Sequence, residues 1–308
     1  MKTYKLSIII TLFALMPISS YCLEQIRIVG SSTVYPFSAS VAEHFGKAGD
    51  YKTPIVEATG TGAGLKLFCA GIGSSFPSVT NASRKILDSE IEQCAKNNIK
   101  NIIEVNLGYD GIVFASSIKA TPINLKRSEI FLALARFVPK DGKIVPNYYT
   151  KWQEINPSLP NIDIKVYGTP PVSGTYDTFI ELVMKKGCEE INEYSKLIPK
   201  KEEREKECKM LREDGFFIQA GENGNLITQK LIGDVGSIGI LGFSFLDQNQ
   251  GKIQAASIEG SSPSFESIQN GAYPISRPLF FYIKGESVAV DSGINEFAQE
   301  FMSEGAIF

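Results

Sequence analysis

Four short turns rich in glycine and hydroxyl residues constrain this chain most: Gly30-Ser31-Ser32-Thr33, Gly60-Thr61-Gly62-Ala63-Gly64, Asn81-Ala82-Ser83-Arg84 and Ser173-Gly174-Thr175. Each follows a strand-like run, and at least three open a helix. Strands alternating with helices through such turns imply an α/β fold. Gln25–Val29 and Ile55–Ala58 read as strands. Pro36–Lys47 reads as a helix, with Phe37, Val41 and Phe45 on one face and Pro36 suited to its first turn. Ala63–Ala70 and Ser89–Asn98 read as further helices, the latter with a capping signature. Ile102–Asn106 and Gly111–Ala115 are expected as two strands around Gly108-Tyr109-Asp110.

The second half continues the pattern. Helices are expected over Lys126–Phe137, Thr178–Lys185 and Asn225–Ile232, and strands over Ile164–Tyr167, Ser237–Ile240 and Leu279–Ile283. The last of these returns the chain to its first block. Residues 199–214 are dense in Lys, Arg and Glu, where Glu202 to Lys206 and Glu205 to Lys209 fit helical ion pairs on a solvated face. No internal repeat or low-complexity linker interrupts the chain.

The turns carry a chemical message as well. Small residues let a ligand approach the backbone, and the first N–H groups of a helix are unpaired and partly positive, which suits oxyanions. Hydroxyls add donors without bulk. One such turn is an ordinary cap; four of them, with Arg84, point to a shared anion site. The glycine cluster at 60–66 lacks the spacing of both the P-loop and the dinucleotide fingerprint, so nucleotide binding is not indicated.

Catalysis has little to draw on. The one histidine, His44, falls inside an amphipathic helix, and neither a nucleophile–histidine pair nor tetrahedral metal spacing can be assembled. No metal and no cofactor is expected. A net charge of -3 argues against nucleic acid, and 43% hydrophobic with 21% charged residues is a globular balance.

Export is expected from the first residues. Lys2 and Lys5 precede an apolar run from Leu6 to Ile18, followed by Ser19 and Ser20, which is the layout of a signal peptide over residues 1–22. The apolar run is shorter than the ~20 residues that span a bilayer. Cleavage between Ser20 and Glu24 leaves about 285 residues, enough for two domains of ordinary size. Cys22 as a lipid-attachment site is disfavoured by the bulky Tyr21 before it. Four cysteines then remain, an even count that suggests two disulfides. Three pairings are open, and order along the chain favours Cys69–Cys94 and Cys188–Cys208.

Taken together, Val29-Gly-Ser-Ser-Thr-Val-Tyr-Pro-Phe37, Gly60-Thr-Gly-Ala-Gly-Leu-Lys-Leu-Phe-Cys69, Asn81-Ala-Ser-Arg84 and Ser173-Gly-Thr175 resemble the phosphate-binding proteins of high-affinity phosphate ABC transporters. Gly108-Tyr-Asp-Gly111, Ala220-Gly-Glu-Asn-Gly-Asn225 and Tyr273-Pro-Ile-Ser-Arg-Pro-Leu279 add to the likeness, which runs from about Ile26 to Phe301. It implies a two-lobed periplasmic-binding-protein fold of type II, with mixed sheets flanked by helices and two crossover hinge strands. Lobe 1 would comprise residues 23–107 with 276–308, and lobe 2 residues 108–275. The implied function is a monomeric periplasmic receptor, not an enzyme, that captures inorganic phosphate and delivers it to the membrane permease of an ABC importer. A receptor for another oxyanion (sulfate, molybdate or tungstate) is the alternative, and a secreted phosphatase-like hydrolase a weaker one.

The matching positions imply a site. Ser32, Thr33, Thr61 and Gly62 would donate from lobe 1, with Ser83 and Arg84 as a third edge; Ser173, Gly174 and Thr175 would close over the anion from lobe 2. Arg84 would supply the positive charge. The sequence departs from the family in places. Thr169 and Tyr176 stand where some members carry an arginine, and Arg84 stands where some carry an aspartate that accepts the proton of hydrogen phosphate. Asp177 is the candidate to replace that acceptor. The chain also stops at Phe308, short of the last stretch that relatives usually carry, so a weaker first lobe is expected.

Overall fold

The computed structural model describes residues 25–48, 51–171, 173–221, 224–288 and 293–303. The expected signal peptide and Cys22 lie outside the described residues. Strand β1 (Arg27–Gly30) pairs in parallel with both β2 (Ile55–Ala58) and β3 (Val79–Ala82). Between them run helices α1 (Tyr35–Lys47) and α2 (Thr61–Phe68). Pro36 sits in the first turn of α1, where its missing N–H costs nothing. Val41, Ala42 and Phe45 are its buried face, whereas Phe37, expected there, stays exposed at the helix start, and so does His44. Helix α3 (Asp88–Lys96) follows β3.

Strand β4 (Ile102–Ser117) runs unbroken through Gly108-Tyr109-Asp110, where the sequence suggested two strands and a turn. Gly108 has φ +134°, a region open to glycine and closed to most side chains. That keeps the backbone extended through what reads locally as a turn. After helix α4 (Arg127–Leu134) come strand β5 (Val166–Gly168), helix α5 (Gly174–Phe179), a π-helical turn (Ile180–Met184), and helices α6 (Lys185–Glu189) and α7 (Lys201–Cys208). Strand β6 (Phe217–Gln219), helix α8 (Gly224–Gly233), strands β7 (Ile238–Gly242), β8 (Ile253–Ala255) and β9 (Ser276–Lys284), and helix α9 (Ile294–Phe301) complete the order used below.

The strands run β2-β1-β3-β9-β4-β7-β5-β6, with β8 also on β4. Strand β9 is antiparallel to both β3 and β4. The first stretch of β4 pairs with β9, and its last residues pair with β7 and β8. One strand therefore belongs to both halves of the sheet.

Alternation along these strands builds a core on each face. Leu279, Phe281 and Ile283 point to one side of β9 with Val41, Phe45 and Phe297, while Phe280 and Tyr282 point to the other with Leu65 and Phe68. In the far half of β4, Ile112 and Phe114 join Phe131, Trp152 and Phe179, whereas Val113 and Ala115 join Ile227 and Leu231. Helix α9 closes the first core through Phe297, whose ring meets Phe45 edge-on at 5.6 Å. Both expected disulfides are formed, Cys69–Cys94 tying α2 to α3 and Cys188–Cys208 tying α6 to α7.

The charged stretch after 199 is helical and exposed, but its pairs differ from the simple helical expectation. Lys201 faces Glu205, and Lys209 reaches across to Glu181 on the π-helical turn. Among the described residues, no helix is long and apolar enough to cross a membrane.

Candidate functional site

The four turns meet where the two halves of the sheet join. Gly30 ends β1 with φ +127°, and a Cβ there would lie 2.1 Å from the Asn81 carbonyl oxygen. A Cβ on Gly64 would lie 2.4 Å from the Gly30 Cα. Only glycines at both positions let the start of α2 settle against the turn after β1. Thr61 and Gly62 thereby present the unpaired N–H groups of a helix N-terminus. Thr61 Oγ1 lies 3.1 Å from Ser83 Oγ and accepts the Ser83 N–H at 3.1 Å, joining the second and third turns.

The turn at 173–175 comes from the other side. Ser173 caps α5 by accepting the Thr175 N–H at 3.2 Å. Thr33 Oγ1 donates to the Gly174 carbonyl at 3.3 Å, and Ser32 Oγ donates a short hydrogen bond to Asp177 Oδ2. These contacts join the two sides beside a cleft of about 740 Å³, which is lined by Thr61, Gly62, Ser83, Arg84, Asp177 and Arg277 among others but not by Ser32, Thr33 or Ser173–Thr175.

Arg84 lines this cleft, but its fork is engaged elsewhere. Nη1 and Nη2 donate to the two Glu90 oxygens at 2.9 and 2.8 Å, and the side chain is 38% exposed. Glu90 also accepts the Leu87 N–H at the start of α3. Arg84 is thus the charge partner of a helix cap.

The buried cation is Arg277, which residue-level reading of the sequence did not single out. It is 8% exposed on β9. Nη2 donates to Thr33 Oγ1 at 2.6 Å and, through a short bond, to Thr178 Oγ1. Nε is buried without a hydrogen-bond partner and lies 3.9 Å from Asp110 Oδ2. Thr178 Oγ1 is itself within 3.4 Å of Asp110 Oδ2. Burial lowers the pKa of Arg277, while the charges of Asp110, Asp177 and Glu181 raise it. Burial also pushes the Asp110 carboxyl up, against the pull of Arg277 and Thr178. The signal in the sequence was a lone arginine at the head of an apolar strand, Arg277-Pro-Leu-Phe-Phe-Tyr-Ile283.

A helix N-terminus, several hydroxyls and one buried guanidinium are groups whose chemistry suits an anion. Comparison with known proteins identifies the family. The PBP superfamily domain is matched over residues 19–305. This chain belongs to the PBP superfamily. Among its relatives, Protein SphX of Synechococcus elongatus is 32% identical over 279 residues, covering 89% of this chain and 72% of SphX. The phosphate-binding protein PstS of Staphylococcus haemolyticus is 30% identical over 275 residues, covering 87% and 73%. A crystal structure from Planctomyces limnophilus, described as a "possible phosphate binding protein", superposes with a TM-score of 0.71 at 26% identity over 92% of this chain and 88% of that one. The fold is the two-lobed type II arrangement of this PBP superfamily, and β4 and β9 are its crossover strands.

Proposed function

We propose that this protein is an extracytoplasmic receptor that captures inorganic phosphate between its lobes and delivers it to the permease of an ABC importer. Lobe 1 comprises residues 23–107 and 276–308, and lobe 2 residues 108–275. The observation that carries this reading is Arg277, a buried guanidinium whose Nε makes no hydrogen bond and only a long 3.9 Å ion pair with Asp110, at the meeting point of four hydroxyl- and glycine-rich turns. Such a group in a desolvated site needs an anion to complete its bonding. The names of the PstS and SphX relatives supply the precedent for phosphate in the first case and a wider family likeness in the second.

In this reading Ser32, Thr33, Thr61, Gly62 and Ser83 bind from lobe 1, and Ser173, Gly174 and Thr175 from lobe 2. Arg84 borders the anion while paired to Glu90, and Arg277 supplies the main charge. Asp177 is the acceptor for the proton of hydrogen phosphate, which sulfate lacks. An anion touching both lobes favours the closed form by its differential affinity. The receptor works as a monomer in the periplasm, and ATP is hydrolysed by a separate subunit.

Calorimetric titration of the purified protein with phosphate and with sulfate tests the reading. Phosphate binding with little or no sulfate binding is expected, and Asp177→Asn should narrow that difference. No heat and no thermal stabilisation with phosphate would sink it.

A further inference from the structure

Thr178 lies on α5, four residues after Gly174, and its side chain is fully buried. It belongs to none of the glycine-rich turns and does not line the cleft. Its hydroxyl donates to the Gly174 carbonyl at 2.9 Å, the ordinary back-bond of a helical threonine. The same oxygen accepts a short hydrogen bond from Arg277 Nη2, which a helix does not require.

Two further bonds close a ring. Arg277 Nη2 also donates to Thr33 Oγ1 at 2.6 Å, and Thr33 Oγ1 donates to the Gly174 carbonyl at 3.3 Å. A threonine hydroxyl has one proton, and in this ring both protons go to the same carbonyl. Asp110 Oδ2, 3.4 Å from Thr178 Oγ1, is the more distant acceptor. Both hydrogens of Nη2 are thereby taken up, and Nη1 and Nε are left as the donors that Arg277 can offer an anion. A guanidinium is planar, so holding Nη2 from two sides fixes the direction in which the other nitrogens point. On the lobe division proposed above, Thr33 belongs to lobe 1, Gly174 and Thr178 to lobe 2, and Arg277 to the crossover strand β9. The ring is complete only while the lobes meet.

We propose that Thr178 is a positioning residue for anion binding, whose hydroxyl, together with that of Thr33, sets the Arg277 guanidinium when the lobes close. Thr178 does not touch the anion and acts through Arg277. Valine in its place keeps the shape but removes the acceptor, leaving one buried N–H of Arg277 without a partner. The effect on anion affinity rests on the phosphate reading, whereas the ring itself does not.

Calorimetric titration of the purified full chain with phosphate, and melting curves without it, test the proposal on Thr178→Val, Thr178→Ser, Thr33→Val and the Thr33→Val/Thr178→Val double variant. Thr178→Val should bind phosphate about ten-fold more weakly, the loss expected for one hydrogen bond to a charged group. Thr178→Ser keeps the hydroxyl and should stay within about three-fold of wild type. Where valine is not accommodated, Thr178→Ala removes the hydroxyl without added bulk and should show the same loss. Without phosphate, the double variant should lose less melting temperature than the two single variants together, because two hydroxyls of one ring are not independent. Unchanged phosphate affinity in Thr178→Val, or an equal loss in Thr178→Ser, would overturn the positioning role. Strictly additive falls in melting temperature would overturn the ring. A wild type that binds no phosphate would overturn the phosphate reading and the positioning role together, with the ring still decided by the melting curves.

Discussion

Arg277 of β9 and Asp110 of β4 stand directly opposite each other in the antiparallel register, at the point where both strands cross between the lobes. Their side chains approach to 3.9 Å, and Thr178 reaches both of them. A charge pair shared by the two crossover strands therefore borders the proposed anion site directly.

The first prediction separates the two arginines. Arg277→Met alone would leave Asp110, a carboxylate 24% exposed, without its ion-pair partner and so destabilise the fold. Arg277→Met combined with Asp110→Asn avoids that, and the double variant should fold yet bind phosphate about 100-fold more weakly, or ~2.7 kcal/mol. Arg84→Ala should cost only a few-fold, because its fork is held by Glu90. Calorimetry on both variants, with melting curves as a folding control, decides between them. A larger loss at Arg84 would reverse the assignment.

Closure depends on the absence of a side chain at Gly174. A Cβ there would lie 2.4 Å from Thr33 Cα and 2.7 Å from Thr33 N, so backbone would have to move. Gly174→Ala should leave the melting temperature of the unliganded protein within a few degrees. It should weaken phosphate binding by ten-fold or more, and small-angle scattering should show a wider molecule in the presence of phosphate.

Acid should weaken one anchor in lobe 2. Arg212 is 3% exposed and donates to Asp214 Oδ1 and Oδ2 at 2.7 Å each, and to the Ala133 and Tyr149 carbonyls at 2.9 Å. The bond from Arg212 holds the Asp214 carboxyl below its ordinary value of 3.8. A carboxyl with a depressed folded pKa contributes stability that is fully present above its unfolded pKa and is lost as pH falls through the folded one. Asp214 is 45% exposed, so solvent screening limits the effect to about 1 kcal/mol. Asp214→Asn should therefore destabilise by that amount at pH 7 in urea titrations. The difference from wild type should shrink progressively below about pH 4.

The disulfides should matter chiefly for stability. Cys69 and Cys94 are 25 residues apart, and closing a loop of that length stabilises by about 3 kcal/mol in the chain-entropy account. Cys69→Ala/Cys94→Ala should lower the denaturation free energy by roughly that much while leaving phosphate affinity within about two-fold. A large loss of affinity would instead place the start of α2 under the control of this bridge.

Local chemistry in the sequence was enough to reveal the α/β alternation and the four turns and to favour, among three open pairings, the two disulfides that form, since each depends on residues close together along the chain. Residues joined by tertiary register were harder to read. Arg277 gains its place from partners in the turn after β1, on β4 and on α5, far away in sequence, so its neighbours in the chain say only that a charge heads an apolar strand. Arg84 stands beside the glycine-rich turns in sequence, and its partner Glu90 lies six residues on inside a helix, so the sequence shows the cation more readily than the pairing. Gly108-Tyr109-Asp110 has the composition of a turn, yet sheet pairing on both sides holds it extended. The π-helical turn leaves no mark in residue type, because its signature is a bond pattern alone.

The register shift between Leu279 and Phe280 lies only two residues from Arg277 on the strand that joins the lobes. Two long strands running side by side bend little in their own plane but can twist, and an irregular step in their pairing is where twist is most easily absorbed. The inner anion would then be gripped close to the axle of the movement, where the lever arm is short. Torque for closing must come from contacts farther out along the jaws, so mutations at the rim can change how fully the receptor shuts without touching the group that holds its cargo.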